Sequence, residues 1–114
     1  MDDCMFCRII KGEIPSIKIY EDELVYAFED INPQAPVHVL IIPKKHFASL
    51  NEMKKEDEQT VGHIFLIAAK IAEEKGIEKA GYRTVFNTNK SAGQVVFHLH
   101  AHLLGGRDFS WPPG

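Results

Sequence analysis

The stretch Gln94-Val95-Val96-Phe97-His98-Leu99-His100-Ala101-His102-Leu103-Leu104 alternates imidazole with apolar side chains through its second half. Successive side chains of a strand point to opposite faces. A final long strand over 94–104 therefore aims His98, His100 and His102 one way and Phe97, Leu99, Ala101 and Leu103 the other. The second face is core, and the first is a row of titratable rings. Half of the chain's six histidines stand on that row, so it is the feature around which the remaining sequence is organised.

Upstream of it, Thr88 to Gly93 reads as a turn and Tyr82 to Asn87 as a strand. Between Lys54 and Gly76 the period changes to 3.6, with Val61, Ile64, Phe65, Ala68, Ile71 and Ala72 on one stripe and Gly76 as the terminator. This is the one long helix. The apolar run Val37 to Ile42, closed by Pro43, suits a central strand buried on both faces. Ile17 to Glu21 and Leu24 to Asp30 form a hairpin around Glu21-Asp22-Glu23, and Cys4 to Lys11 a short helix stopped by Gly12 and Pro15. The sum is an α+β fold, a mostly antiparallel sheet of about five strands with one long and one short helix. With 114 residues, 45% of them apolar, residues 1–114 fill one domain and are too few for two.

Thirteen Lys and Arg against 16 Asp and Glu leave a net charge of −3, which excludes the basic field of a nucleic-acid binder. The longest apolar run, Ile64 to Ala69, is far short of the ~20 residues of a membrane span, and the opening Met1-Asp2-Asp3 has no signal-peptide character. A cytoplasmic protein without membrane contact is expected. The two cysteines, Cys4 and Cys7, are too few for a secreted disulfide scaffold. The pair Lys44-Lys45 reads as a solvated strand end rather than an anion site.

Three readings compete for the histidine row. A solvated polar face would ordinarily carry Thr, Lys, Glu or Ser. A zinc site made from this strand alone fails on geometry, because alternate side chains are ~6.6 Å apart and the outer pair ~13 Å, against Zn–N bonds of ~2.0–2.1 Å. Catalysis remains, since neutral imidazole is both nucleophile and proton carrier near neutrality. The sequence has no Walker-type loop and no clustered carboxylates suited to catalytic magnesium, so histidine attack on phosphorus fits.

The run His98-Leu99-His100-Ala101-His102-Leu103-Leu104 resembles the His-φ-His-φ-His-φ-φ motif of the histidine-triad superfamily. Asp30-Ile31-Asn32-Pro33-Gln34-Ala35-Pro36-Val37-His38, Ile42-Pro43-Lys44-Lys45-His46 and the ending Trp111-Pro112-Pro113-Gly114 are similar to its Hint branch, the purine nucleoside phosphoramidases. The likeness runs from Cys4 to Gly114.

This resemblance implies hydrolysis of purine nucleoside 5'-phosphoramidates through a nucleotidyl-histidine. His100 would be the nucleophile. His102 would contact phosphate and help protonate the leaving amine, with His98 and His38 in support, although a buried histidine on a central strand also explains His38. Asp30 would hold the ribose hydroxyls, or serve only its turn. The purine would lie among Met5, Phe6, Ile9, Phe28 and Ile31, where core packing explains Phe28 and Ile9 equally well. Asn87 and Gly93 match positions near the phosphate. Val95 stands where this branch commonly has Ser, which leaves the leaving-group preference open. His102 replaces the Gln usual in the transferase branch and favours hydrolysis over transfer. Dinucleoside polyphosphate hydrolysis, or a nucleotide- or zinc-binding interaction module with incidental hydrolysis, are the alternatives.

The resemblance and the apolar helix stripe also suggest a homodimer, with Trp111 reaching the neighbouring subunit near its active site; a disordered tail is the alternative. For Cys4-Met5-Phe6-Cys7 a thioredoxin-like role lacks a preceding strand, and two reduced thiols or a zinc site remain. Zinc-bearing relatives pair such a motif with an upstream histidine and the first motif histidine. Here these are His46 and His98, and the zinc would be structural.

Overall fold

Two neighbouring strands buried on both faces decide how this chain layers. In the computed structural model, which describes residues 3–114, β1 (Lys18–Glu21), β2 (Val25–Glu29), β3 (Val37–Pro43), β4 (Tyr82–Phe86) and β5 (Ala101–Gly105) form one sheet in the order β1-β2-β3-β5-β4. Every neighbouring pair is antiparallel. Met1 and Asp2, part of the expected leaderless opening, lie outside the described residues. No helix among the described residues is long and apolar enough to cross a membrane.

Val25, Ala27, Val39, Ile41, Ala101 and Leu103 face the long helix α2 (Glu58–Glu74), which returns Val61, Ile64, Ile67, Ala68 and Ile71. Tyr26, Phe28, Leu40 and Ile42 face the other way and meet Phe6 and Ile9 of the short helix α1 (Met5–Ile10). β3 is thus buried on both faces, as its apolar run, broken only by His38, predicts. Each of these large apolar side chains contributes roughly 1.5–3 kcal/mol on burial.

Gly76, at φ 73°, ends α2 as expected, with the Ile77 N–H reaching back to the Ala72 carbonyl. The start differs. Residues 55–57 form a 3-10 turn in which Asp57 accepts the Lys54 N–H at 2.9 Å and the Lys45 ammonium at 2.8 Å, so the helix begins at Glu58. The stripe differs too, because Phe65 is half-exposed and Ile67 takes the core position. Lys44 meets Glu21 at 2.8 Å and Lys45 meets Asp57, so neither forms an anion site. Across the sheet edge, Asp22 accepts the Leu24 and Val25 N–H groups with one oxygen and Tyr20 and His63 with the other, pinning the hairpin to α2. Burial opposes the Asp22 charge, yet these donors hold its carboxyl well below the usual range.

The last strand is shorter than its alternation suggests. β5 pairs with β3 and β4 only from Ala101 onward, where Ile41 and Phe86 are its partners. Pro43 has no N–H to extend the ladder, its carbonyl accepts the His98 Nε2–H at 2.8 Å, and β4 has ended at Phe86. Residues 94–100 are therefore irregular, and Phe97 is half-exposed rather than in line with Leu99.

Candidate active site

Strand register brings the first two histidines together. His38 lies opposite Leu104 and His102 opposite Leu40, so the two rings are diagonal neighbours on the face away from α2. Hydrogen bonds to main-chain groups, whose roles are unambiguous, then assign the protons. The Gln34 N–H donates to His38 Nδ1 at 3.0 Å, which leaves the His38 proton on Nε2. That Nε2–H lies 2.9 Å from His102 Nδ1 and 3.3 Å from Asp30 Oδ2. His102 Nδ1 is accordingly an acceptor, and its own proton sits on Nε2. Asp30 has its expected turn role, since its second oxygen accepts the Asn32 N–H at 2.8 Å.

His100 is oriented from behind. Its Nδ1–H donates to the His98 carbonyl at 2.8 Å, leaving the lone pair on Nε2. The Phe6 ring stands edge-on to it at 5.2 Å. Burial pushes His100 and His38 below the ordinary imidazole value, the latter against the pull of Asp30. Burial, with His100 and His38 adding to it, brings His102 down to about 4. The row is neutral at pH 7, the form in which imidazole is a nucleophile.

A cavity of about 720 Å³ opens over these rings. Its walls include His38, His100, His102, Met5, Phe6, Ile9, Phe28, Asp30, Ile31, Asn87, Gly93 and Val95, which gathers residues from both ends of the chain. Phe6, Ile9 and Phe28 are buried and form its apolar depth, while Met5, Ile31 and Val95 stand at an exposed rim. Phe28 and Ile9 are thus both core and lining.

His98 turns the other way. Its Nε2–H is committed to Pro43, so the Nδ1 lone pair faces Cys4 Sγ at 3.4 Å, Cys7 Sγ at 3.5 Å and His46 Nδ1 at 3.1 Å. Cys7 Sγ is in turn 3.5 Å from His46 Nδ1. Bonds of ~2.0–2.3 Å to a tetrahedral ion require donors roughly 3.3–3.8 Å apart; the three sulfur–nitrogen separations fall in that range, the His46–His98 pair lies just below it, and all four donors are within 4.8 Å of one another. The cluster can therefore bind a metal ion. Asp30, His38 and His102 also converge, but the Gln34 N–H occupies His38 Nδ1. A cation at Nε2 would need the imidazole stripped of its last proton, so this second group is a proton chain and not a metal cage.

The HIT domain family matches residues 11–109. The chain belongs to that family. It is 51% identical over 106 residues to the purine nucleoside phosphoramidase of Escherichia coli K12, covering 93% of this chain and 89% of that one. A HIT family hydrolase from Legionella pneumophila superposes with a TM-score of 0.96 at 50% identity, over 98% of this chain and 100% of the other. A histidine triad protein from Clostridium difficile gives 0.93 at 46% identity, over 96% of each.

In this HIT chain the motif histidines do not share one strand face. Only His102 is on β5, and the irregular segment before it lets His98 serve the Cys/His cluster while His100 enters the cavity. Trp111 is 83% exposed and lines no part of its own cavity. The tail bearing it is anchored: Arg83 donates to the Ser110 and Pro113 carbonyls, and the guanidiniums of Arg83 and Arg107 lie 5.0 and 4.2 Å from the Phe109 ring centre. Leu40, Val96 and Gln34 also line the cavity. Leu40 was legible as a same-face neighbour of His38, whereas Gln34 acts through its main-chain N–H and has no side-chain signal.

Proposed function

We propose that this chain is a histidine-triad nucleotide hydrolase that cleaves the phosphorus–nitrogen bond of purine nucleoside 5'-phosphoramidates through a nucleotidyl-His100 intermediate. The observation that carries this reading is the tie of His100 Nδ1–H to the His98 carbonyl, which leaves Nε2 as a neutral nucleophile in a cavity with an apolar depth. Nε2 attacks the α-phosphorus and the P–N bond breaks, the departing nitrogen accepting a hydrogen bond from the His102 Nε2–H and taking its proton from a water at the cavity mouth. In the second step the hydroxide so formed adds to phosphorus and the bond to His100 breaks. Nucleoside monophosphate and amine are the products, and every histidine ends in its starting protonation state. Phe6, Ile9 and Phe28 receive the purine and Met5 and Ile31 cover its rim. Asp30 takes the ribose hydroxyls, Asn87 and Gly93 face the phosphate, and Val95 flanks the leaving group.

Cys4, Cys7, His46 and His98 would hold a zinc ion, whose contribution is structural: it ties α1 to the segment that orients His100. A second copy of the chain would cover the exposed Trp111 together with Phe65 and Leu66 of α2. The two cysteines are unpaired, which suits a reducing compartment, and we place the enzyme in the cytoplasm.

The test is turnover of adenosine and guanosine 5'-phosphoramidates beside diadenosine polyphosphates, with acid-quenched protein inspected for a nucleotidyl adduct. Wild type should release amine and show the adduct, and His100→Ala should lose at least about a thousandfold in rate while keeping nucleotide affinity within about tenfold. Preferred cleavage of the polyphosphates, or a His100→Ala enzyme retaining several per cent of the rate, rejects the reading.

A further inference from the structure

Residues 94–100 carry two of the three motif histidines but have no strand partner among the described residues, so something other than sheet pairing must fix them. Gln94 is buried, 6% exposed, and its amide uses both donor and acceptor capacity. Oε1 accepts the Asn89 N–H at 2.8 Å, and Nε2 donates to the Ala48 carbonyl at 2.7 Å and the Val96 carbonyl at 3.1 Å. The Gln94 N–H also donates to the Asn89 carbonyl at 3.1 Å, which closes a reciprocal pair. Asn89 sits at φ 68°, a conformation that costs a non-glycine residue energy unless its surroundings hold it.

These bonds define a loop with two fixed ends. Between Asn89 and Val96 lie the 3-10 turn Lys90–Ala92, Gly93 and Val95, and Asn87 comes two residues before the first end; Asn87, Gly93 and Val95 line the cavity. Behind the loop, Ala48 is two residues from His46, and the Phe47 carbonyl accepts the Leu99 N–H at 2.8 Å. Segment 46–48 is thus a backing to which both ends of 94–99 are fastened. Phe6, Ile9 and Phe28 of the proposed purine slot belong to α1 and β2 and receive none of these bonds, and of the loop Val96 packs against them.

We infer that Gln94 is a positioning residue for the reaction: its buried amide holds the 87–96 loop against the cavity so that the phosphate of a nucleotide, but not its base, depends on it. The inference rests on the proposed nucleotide chemistry of the same cavity. Gln94→Glu keeps the shape and turns a carboxylate oxygen toward two carbonyl oxygens. Gln94→Met fills the same space without donors and serves if the first variant does not fold.

The full-length chain is titrated calorimetrically with AMP and, separately, with adenosine, and its turnover of adenosine 5'-phosphoramidate is measured. AMP affinity should fall about tenfold and kcat/KM about a hundredfold, as a misplaced phosphate predicts, with adenosine affinity held within about twofold. A parallel fall of AMP and adenosine affinity would mean a general structural role and overturns the inference, as does a folded variant with wild-type AMP affinity. Failure of the wild type to turn over the phosphoramidate strikes the proposed function instead, and the paired titrations still decide the role of Gln94.

Discussion

His102 shows how far a single ring's chemistry is set by its partners. Its Nδ1 accepts from His38, whose tautomer is dictated by the Gln34 main chain, and burial brings its pKa down to about 4. Protonating Nδ1 would remove the acceptor and break the chain from Asp30 to the cavity. A depressed imidazole pKa means that the neutral form persists well below 6.5, so the proton chain is intact through neutrality and fails only in acid. The rate constant for phosphoramidate turnover should therefore be flat from about pH 6 to 8 and decline below about pH 5. An acid limb centred near 6.5 would show His102 titrating as an ordinary histidine and would contradict this assignment.

At the scale of elements, α1 is the one that cannot stand alone. Six residues are far below the length at which a helix persists in water, and Cys4 caps it only through a sulfur accepting the Cys7 N–H at 3.3 Å. Phe6 and Ile9 pack it on the sheet, and the Cys/His cluster fastens its first turn to His46 and His98. A bound zinc would make that fastening part of the folding free energy. Purified protein should contain about one zinc per chain. Replacing both cysteines by serine should remove it, lower the melting temperature by on the order of 10 °C, and weaken adenosine binding through the loosened Phe6. Native protein without metal, whose melting temperature is indifferent to chelators, would refute the site.

For the whole molecule, exposed apolar side chains include Ile31 and Val95 at the cavity rim and others spread over the surface, such as Ile17 and Phe97. Phe65 and Leu66 stand half-exposed on α2, and Trp111 is held out on a tail that Arg83 and Arg107 keep in place. An anchored, exposed tryptophan is suited to a second copy rather than to its own domain. Sedimentation velocity at micromolar concentration should give the mass of two chains, and deleting residues 111–114 should change leaving-group preference. A monomer under those conditions removes the dimer, and an unchanged preference removes the role of Trp111.

Local pattern was enough for the layers. The β-branched and aromatic run of β2, the 3.6-residue period of α2, its stop at Gly76 and the almost unbroken apolar run of β3 each follow from side chains close in sequence, and so does the identity of the histidine row. Cys4, Cys7, His46 and His98 were reached through family resemblance, and the folded chain brings their donor atoms together. What the sequence could not show was decided by partners distant along the chain. Pro43 and the end of β4 deny residues 94–100 a ladder, so a segment that alternates like a strand is not one. The same interruption turns His98 away from His100 and leaves the Gln94 amide to replace the missing sheet bonds. Phe65 and Ile67 are equally apolar, and only the rotation of α2 on the sheet chose Ile67 for the core. Periodicity records which faces a segment can bury, whereas proton positions, ligand cages and loop anchors depend on main-chain groups that tertiary contact alone brings within 3 Å or so of a side chain.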